Sequence, residues 1–253
     1  IDTRNLGEGE LFVAIKGNRD GHEFLDLAQQ SGACGALVTK LVDDRNIPQL
    51  ISGDSLGALQ AIAQNHREKF QGKVVGITGS CGKTSTKDIL TLLLGYETTH
   101  STEKNFNNYL GVPLTLLGLD PEIHKNSVVE AGINQTKEMS ILAKMISANI
   151  AIISNIGASH LEGLHSEEVV AREKFDLIRE SKNLDLAIYP EHCLKFKEFK
   201  NFRKNSDKRS IVLYEGEPPP KHGDDEYYFQ FRTETNITGN SGVLRLWRTG
   251  FPV

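Results

Sequence analysis

Cysteine is scarce in this chain, and the three present, Cys34, Cys81 and Cys193, are odd in number and never form a CxxC pair. Neither a disulfide framework nor a zinc site is expected, and a reducing cytoplasm is the compartment that fits. No stretch approaches the roughly 18 consecutive apolar residues of a membrane-spanning helix, and no charged-then-apolar leader opens the chain, so no membrane partner is expected. A surplus of positive charge is missing as well. With a formal net charge of -4, no broad basic face points to nucleic acid, and any anionic ligand must be held locally. Internal repeats and low-complexity tracts are absent too.

What is there is an ordinary globular composition, 38% apolar and 25% charged, in 253 residues, enough for two domains of unequal size. Apolar and β-branched runs predict strands at Leu11 to Ile15 and Gly35 to Thr39, with a short helix at Glu23 to Gln30 between them. Leu56, Leu59, Ile62, Ala63 and Phe70 recur at helical spacing behind Asp54 or Ser55 as N-cap, predicting a helix over 55–70 that closes a first domain of residues 1–71. Gln71-Gly72 is the expected hinge. A second series, 72–253, opens with a strand from Lys73 to Thr78 and a helix from Lys83 to about Leu94, whose Ile89, Leu92 and Leu93 are expected to face the sheet. Strands at Val128 to Ala131, Ile150 to Ser154 and Leu186 to Tyr189 alternate with helices at Lys137 to Ile146 and Glu167 to Glu180. The expected fold is α/β with a mostly parallel sheet, which binds ligands beyond the carboxyl ends of its strands. After Tyr189 the pattern weakens: 217–226 reads as a polar, proline-containing loop, and Tyr227 to Arg232 with Val243 to Trp247 as antiparallel strands near an edge.

The most informative segment is TGSCGKTS, Thr78 to Ser85. Gly79 and Gly82 allow a tight turn that aims backbone N–H groups inward, with Ser80 and Cys81 at its crown. The helix N-terminus adds partial positive charge, Lys83 can reach outer phosphates, and the hydroxyls of Thr84 and Ser85 stand ready, Thr84 as a magnesium ligand. The standard phosphate-loop pattern wants glycine five positions before Gly82, where Ile77 stands. The strand, loop and helix context still predicts a bound nucleoside triphosphate.

The variant TGxxGKT resembles the nucleotide loop of the Mur ligases and their folylpolyglutamate synthase relatives. STEKNFNNYLGVPLTLLGL (101–119), SVVEAGIN (127–134) and AIISNIGASHLEGLHSEEVVAREKFDLI (151–178) extend the likeness, and their asparagine and NIGASHLEG patterns are similar to the branch of the family that adds D-alanyl-D-alanine. DTRNLGEGELFVAIKGNRDGHEF at the front resembles that branch's domain for the uridine diphosphate end of the substrate.

The resemblance implies an ATP-dependent, ADP-forming amide ligase of peptidoglycan precursor synthesis. Such an enzyme joins UDP-N-acetylmuramoyl-tripeptide to D-alanyl-D-alanine through an acyl phosphate, in the cytoplasm and as a monomer. It implies ATP and two magnesium ions as cofactors, with Lys83, Glu130, His160 and Lys174 as catalytic residues. Thr84, Glu130, His160 and Lys174 would be metal ligands, the lysine as a carbamate. Thr3, Arg4, Asn105, Asn107 and Asn108 would meet the substrate, whereas His165 does not occupy the matching position. The chain departs from the family at Lys137, often glycine there, and at Phe175-Asp176, more usually Gly-Glu. It starts without a lead-in element, and neither an adenine-contacting segment nor the family's further Rossmann-like domain is recognisable, so both ends are expected to continue. Two alternatives stay open: another ligase of the superfamily, tripeptide-forming or folylpolyglutamate-type, and a non-catalytic nucleotide-binding homologue.

Overall fold

The computed structural model describes residues 1–158, 161–215, 226–236, 239–248 and 251–252. It divides into two compact units, Ile1–Asn65 and His66–Val253.

In the first unit β1 (Leu11–Val13), β2 (Gly35–Val38) and β3 (Gln49–Ile51) form a parallel three-stranded sheet in the order β1-β2-β3. A single 3-10 turn, Gly21–Phe24, leads into α1 (Leu25–Gln30) where one continuous helix was expected. Phe12, Ala14, Leu25, Ala28, Ala36, Val38 and Ile47 make the core. Parallel strands require a crossover of this kind, and burial on both faces explains why β1 and β2 read as unbroken apolar runs, whereas Leu50 and Ile51 of β3 are exposed.

The next helix, α2 (Ser55–Lys69), starts behind Asp54, whose Oδ1 accepts from Leu56 N at 3.0 Å. The division between units falls inside it and not at Gln71-Gly72. Past that division, His66 Nε2 donates to Leu119 O at 2.7 Å, and the buried Arg67 donates to Ile146 O and Ser147 O, each at 2.9 Å. These last residues of the helix are therefore part of the second unit's packing.

The second unit is built on β4 (Lys73–Thr78), α3 (Lys83–Leu94), β5 (Thr99–Ser101), α4 (Gly111–Leu117), β6 (Asn126–Glu130), α5 (Glu138–Ile146) and β7 (Ile150–Ile153). The chain continues through α6 (Leu161–Leu164), α7 (Glu167–Arg179), β8 (Leu186–Pro190), α8 (Lys197–Asn205), β9 (Arg209–Glu215), β10 (Glu226–Asn236), β11 (Gly239–Arg248) and β12 (Phe251–Pro252). Its nine-stranded sheet has the order β12-β11-β10-β9-β8-β7-β4-β6-β5. It is parallel from β5 to β10, and β11 and β12 are added antiparallel. The fold is thus mixed α/β with a mostly parallel sheet. Register pairs Tyr228 with Trp247 and Arg232 with Val243, as the alternation there predicts. The expected loop at 217–226 lies outside the described residues apart from Glu226.

One face of the sheet packs Val75, Ile77 and Val128 against Leu90 of α3. On the other face Leu177 of α7 lies over Gly76, and α5 buries Met139, Leu142, Ala143 and Ile146, the predicted positions. The expected inner face of α3 is overturned. Ile89, Leu92 and Leu93 are 59%, 60% and 76% exposed, and Lys87 and Thr91 are buried instead. Lys87 can be buried because its Nζ donates to Thr102 O at 2.9 Å and pairs with Asp88 at 2.8 Å, and Thr91 Oγ1 donates to Lys87 O at 2.8 Å. The sheet-facing side of α3 is thus Leu90 with Lys87 and Thr91, whose polar groups tolerate burial because they are hydrogen-bonded.

Beyond β8 the structure holds more than the sequence pattern suggested. Short, lysine-rich α8 docks through Phe199, whose ring meets Phe175 of α7 edge-on at 5.0 Å, with Phe202 at 5.8 Å from the same ring. That aromatic cluster explains Phe175 where glycine is more usual.

Candidate nucleotide and metal site

β4 lies between β6 and β7, but the chain leaves it for the far edge at β5, returns to β6, and then crosses to β7. The carboxyl end of β4 is therefore the switch point of the sheet, where such folds place ligands. The loop 78–85 occupies that point. Gly82 stands as N-cap of α3 with φ of 79°, a conformation that favours glycine, and a Cβ at Gly79 would stand 1.9 Å from Ser154 Oγ. Both glycines are required by the geometry. The first N–H groups of α3 have no partner within the helix and carry its positive dipole end, a receptor for phosphate oxygens.

Two lysines converge on the loop. Lys83 Nζ donates to Gly79 O at 2.9 Å, and Lys174 Nζ, from α7, donates to the same oxygen at 3.1 Å. Lys174 is 1% exposed. Burial, reinforced by the charge of Lys83, pulls its pKa from 10.5 down to about 7. A substantial share of this amine is therefore neutral near neutral pH, and so nucleophilic.

On the other side of β4, the buried Glu130 ends β6. Its Oε2 accepts from Thr84 Oγ1 at 2.9 Å, its Oε1 accepts from Asn107 Nδ2 at 2.8 Å, and its backbone N–H donates to Thr102 Oγ1 at 2.9 Å. A buried carboxylate beside a threonine hydroxyl next to the phosphate loop is a hard oxygen donor set. It suits magnesium, which is usually bound through one or two carboxylates plus substrate phosphates. Among the described residues no group of three or more His, Cys, Asp or Glu side chains could hold a metal.

Lys83, Thr84, Glu130 and Lys174 are thus brought together around one loop, with Asn107 joining them. Asn105 is exposed. Asn108 Oδ1 accepts from Leu110 N and Gly111 N at 3.0 and 2.9 Å, which starts α4. His160 lies outside the described residues, and His165 is an exposed residue with φ of 63°. Thr3 and Arg4 are in the first unit, where the Arg4 fork is engaged by Asp2 at 2.9 and 2.6 Å. That pairing holds the Asp2 carboxyl down at about 2. Lys137, at the position where glycine is common, has a left-handed φ of 70°, with its N–H donating to Glu173 Oε2 at 2.6 Å.

Sequence reading passed over Thr102, Ser154, Asn155 and Lys87. Thr102 and Ser154 stand just past the carboxyl ends of β5 and β7. Polar residues immediately after a strand were the available signal, but only the strand order shows that these ends flank the loop.

The chain matches the Mur ligase middle domain over residues 77–243, more than half its length. It is 37% identical over 192 residues to the UDP-N-acetylmuramoyl-tripeptide--D-alanyl-D-alanine ligase of Bacillus subtilis (strain 168), an alignment covering 74% of this chain and 42% of that relative. This chain belongs to the Mur ligase family. It spans less than half the length of the curated relatives it matches. Among solved structures it resembles MurF from Acinetobacter baumannii, with a TM-score of 0.78 and 30% identity over 96% of this chain and 54% of that one. It also resembles MurF ligase from Thermotoga maritima in complex with ADP, with a TM-score of 0.80 and 25% identity over all of this chain and 56% of that one. No helix among the described residues is long and apolar enough to cross a membrane.

Proposed function

We propose that this chain is the ATP-binding and UDP-substrate-binding part of a ligase that joins UDP-N-acetylmuramoyl-tripeptide to D-alanyl-D-alanine, a cytoplasmic, monomeric enzyme of peptidoglycan precursor synthesis. The observation that carries the reading is the meeting of Lys83 and Lys174 at Gly79 O beside the Thr84–Glu130 pair, in a chain similar to relatives named for that reaction.

The reaction must bring a substrate carboxylate onto the γ-phosphate of ATP, so repulsion between two anions is the first obstacle. Lys83, freed from Gly79 O, and the N–H groups at the start of α3 neutralise and orient the outer phosphates. Thr84 and Glu130 would hold magnesium, which when bound supplies further positive charge to those phosphates, while Asn107 fixes the rotamer of Glu130. The carboxylate oxygen bonds to the γ-phosphorus as the bond to the β–γ bridging oxygen breaks, giving an acyl phosphate and ADP. The amine of D-alanyl-D-alanine then attacks the acyl carbon, the C–O bond to phosphate breaks, and the amine gives up its proton.

Neutral Lys174 can add to carbon dioxide through its nitrogen lone pair and lose a proton. The resulting carbamate is an anion that, with His160, would hold a second magnesium. Thr3 and Arg4, with Arg4 released from Asp2, are our candidates for the uridine diphosphate, and Asn105, Asn107 and Asn108 for the remainder of the substrate.

The 253-residue chain is expected to bind magnesium ADP in calorimetry. Completed to the length of its relatives, it should release phosphate only when both UDP-N-acetylmuramoyl-tripeptide and D-alanyl-D-alanine are supplied. Release that needs neither would refute the assignment.

A further inference from the structure

The crown of the phosphate loop is held from outside by the segment that follows β7. Ser154 N donates to Thr78 O at 2.8 Å, carrying the pairing of β4 and β7 one residue past the strands. Asn155 then takes both crown amides: its backbone oxygen accepts from Ser80 N at 3.1 Å and its side-chain Oδ1 accepts from Cys81 N at 2.8 Å. The other end of the same side chain donates through Nδ2 to Cys81 Sγ at 3.0 Å. Ser80 Oγ and the backbone of Gly157 close the contact, with Ser80 Oγ donating to Gly157 O at 2.9 Å and accepting from Gly157 N at 3.0 Å. The segment is itself pinned from behind, because Ile156 N donates to His192 Nε2 at 3.0 Å.

This arrangement decides which amides can receive phosphate. With Ser80 N and Cys81 N turned toward Asn155, an anion is left the N–H groups of Gly82, Lys83, Thr84 and Ser85, all aimed by the start of α3. A carboxamide suits the task, since one group accepts an N–H and donates to the sulfur beside it.

We infer that Asn155 is a positioning residue for the nucleotide, holding the crown of the phosphate loop in its receiving form before the phosphates arrive. The inference rests on the nucleotide reading of the loop. Without the side chain, Cys81 N–H loses its partner and the crown samples other conformations, which binding must then suppress.

The test is Asn155→Ala in the full chain, with hydrogen–deuterium exchange on the nucleotide-free protein and calorimetric titration with ADP. Exchange should rise across 78–83 and stay unchanged in β8, and the ADP Kd should rise about tenfold, equivalent to about 1.4 kcal/mol. Asn149→Ala is the control. It removes a side chain of the same type from the opposite end of the same strand pair, where Asn149 Oδ1 accepts from Val74 N at 3.0 Å, and should lower thermal stability without changing the ADP Kd. Should the alanine variant at 155 not fold, Asn155→Leu fills the space without hydrogen bonding and carries the same expectation. Unchanged loop exchange, or an ADP Kd within about twofold of wild type, overturns the inference, as does equal weakening by Asn149→Ala. If the wild-type chain binds no ADP, the nucleotide reading fails, and the exchange result still decides whether Asn155 holds the loop.

Discussion

Replacing Lys174 by methionine tests the electrostatics at the centre of the site. The side chain is 1% exposed and its amine has fallen from 10.5 to about 7, through burial first and the charge of Lys83 second. Because the folded value lies below the unfolded one, the unfolded chain binds more protons between about pH 7 and pH 10.5, and stability rises with pH across that window. At about 1.36 kcal/mol per unit, the cost of burying this amine is about 4 kcal/mol near pH 7, about 2 near pH 9 and under about 1 near pH 10. Methionine is close in length, titrates nowhere, and leaves Gly79 O its bond from Lys83. Lys174→Met should therefore exceed wild type in urea stability by roughly those amounts, in carbon dioxide-free buffer. A difference that stays flat from about pH 7 to pH 10, or a wild type more stable throughout, would refute the account.

Two further outcomes follow from the same geometry. Glu130→Gln removes the charge on which the magnesium site proposed at Thr84 and Glu130 depends, so the gain in ADP affinity on adding magnesium should shrink by roughly tenfold or more in calorimetry; an undiminished gain would place the metal elsewhere. Lys137→Gly relieves a left-handed backbone and should raise the urea midpoint by an equivalent of about 1 kcal/mol, whereas a loss would show that the lysine side chain matters more than its φ.

Local chemistry was legible in the linear sequence. TGSCGKTS demanded a tight turn because only glycine tolerates the backbone at Gly79 and Gly82, and strand-helix alternation demanded a mostly parallel sheet. The apolar face of α5 was readable for the same reason: Met139, Leu142, Ala143 and Ile146 carry its burial by themselves. On α3 that logic failed, because the buried positions are a lysine and a threonine whose partners, Thr102 O and Lys87 O, become known only after folding.

Tertiary structure alone decided what the loop's neighbours are. The order β5-β6-β4-β7 sets Glu130 on one side of the loop and Asn155 on the other, and α7 brings Lys174 to Gly79 O across 95 residues of chain. Nothing in a lysine on a helix reveals a pKa near 7. That value comes from being packed away from water beside a second cation, which only the folded arrangement imposes.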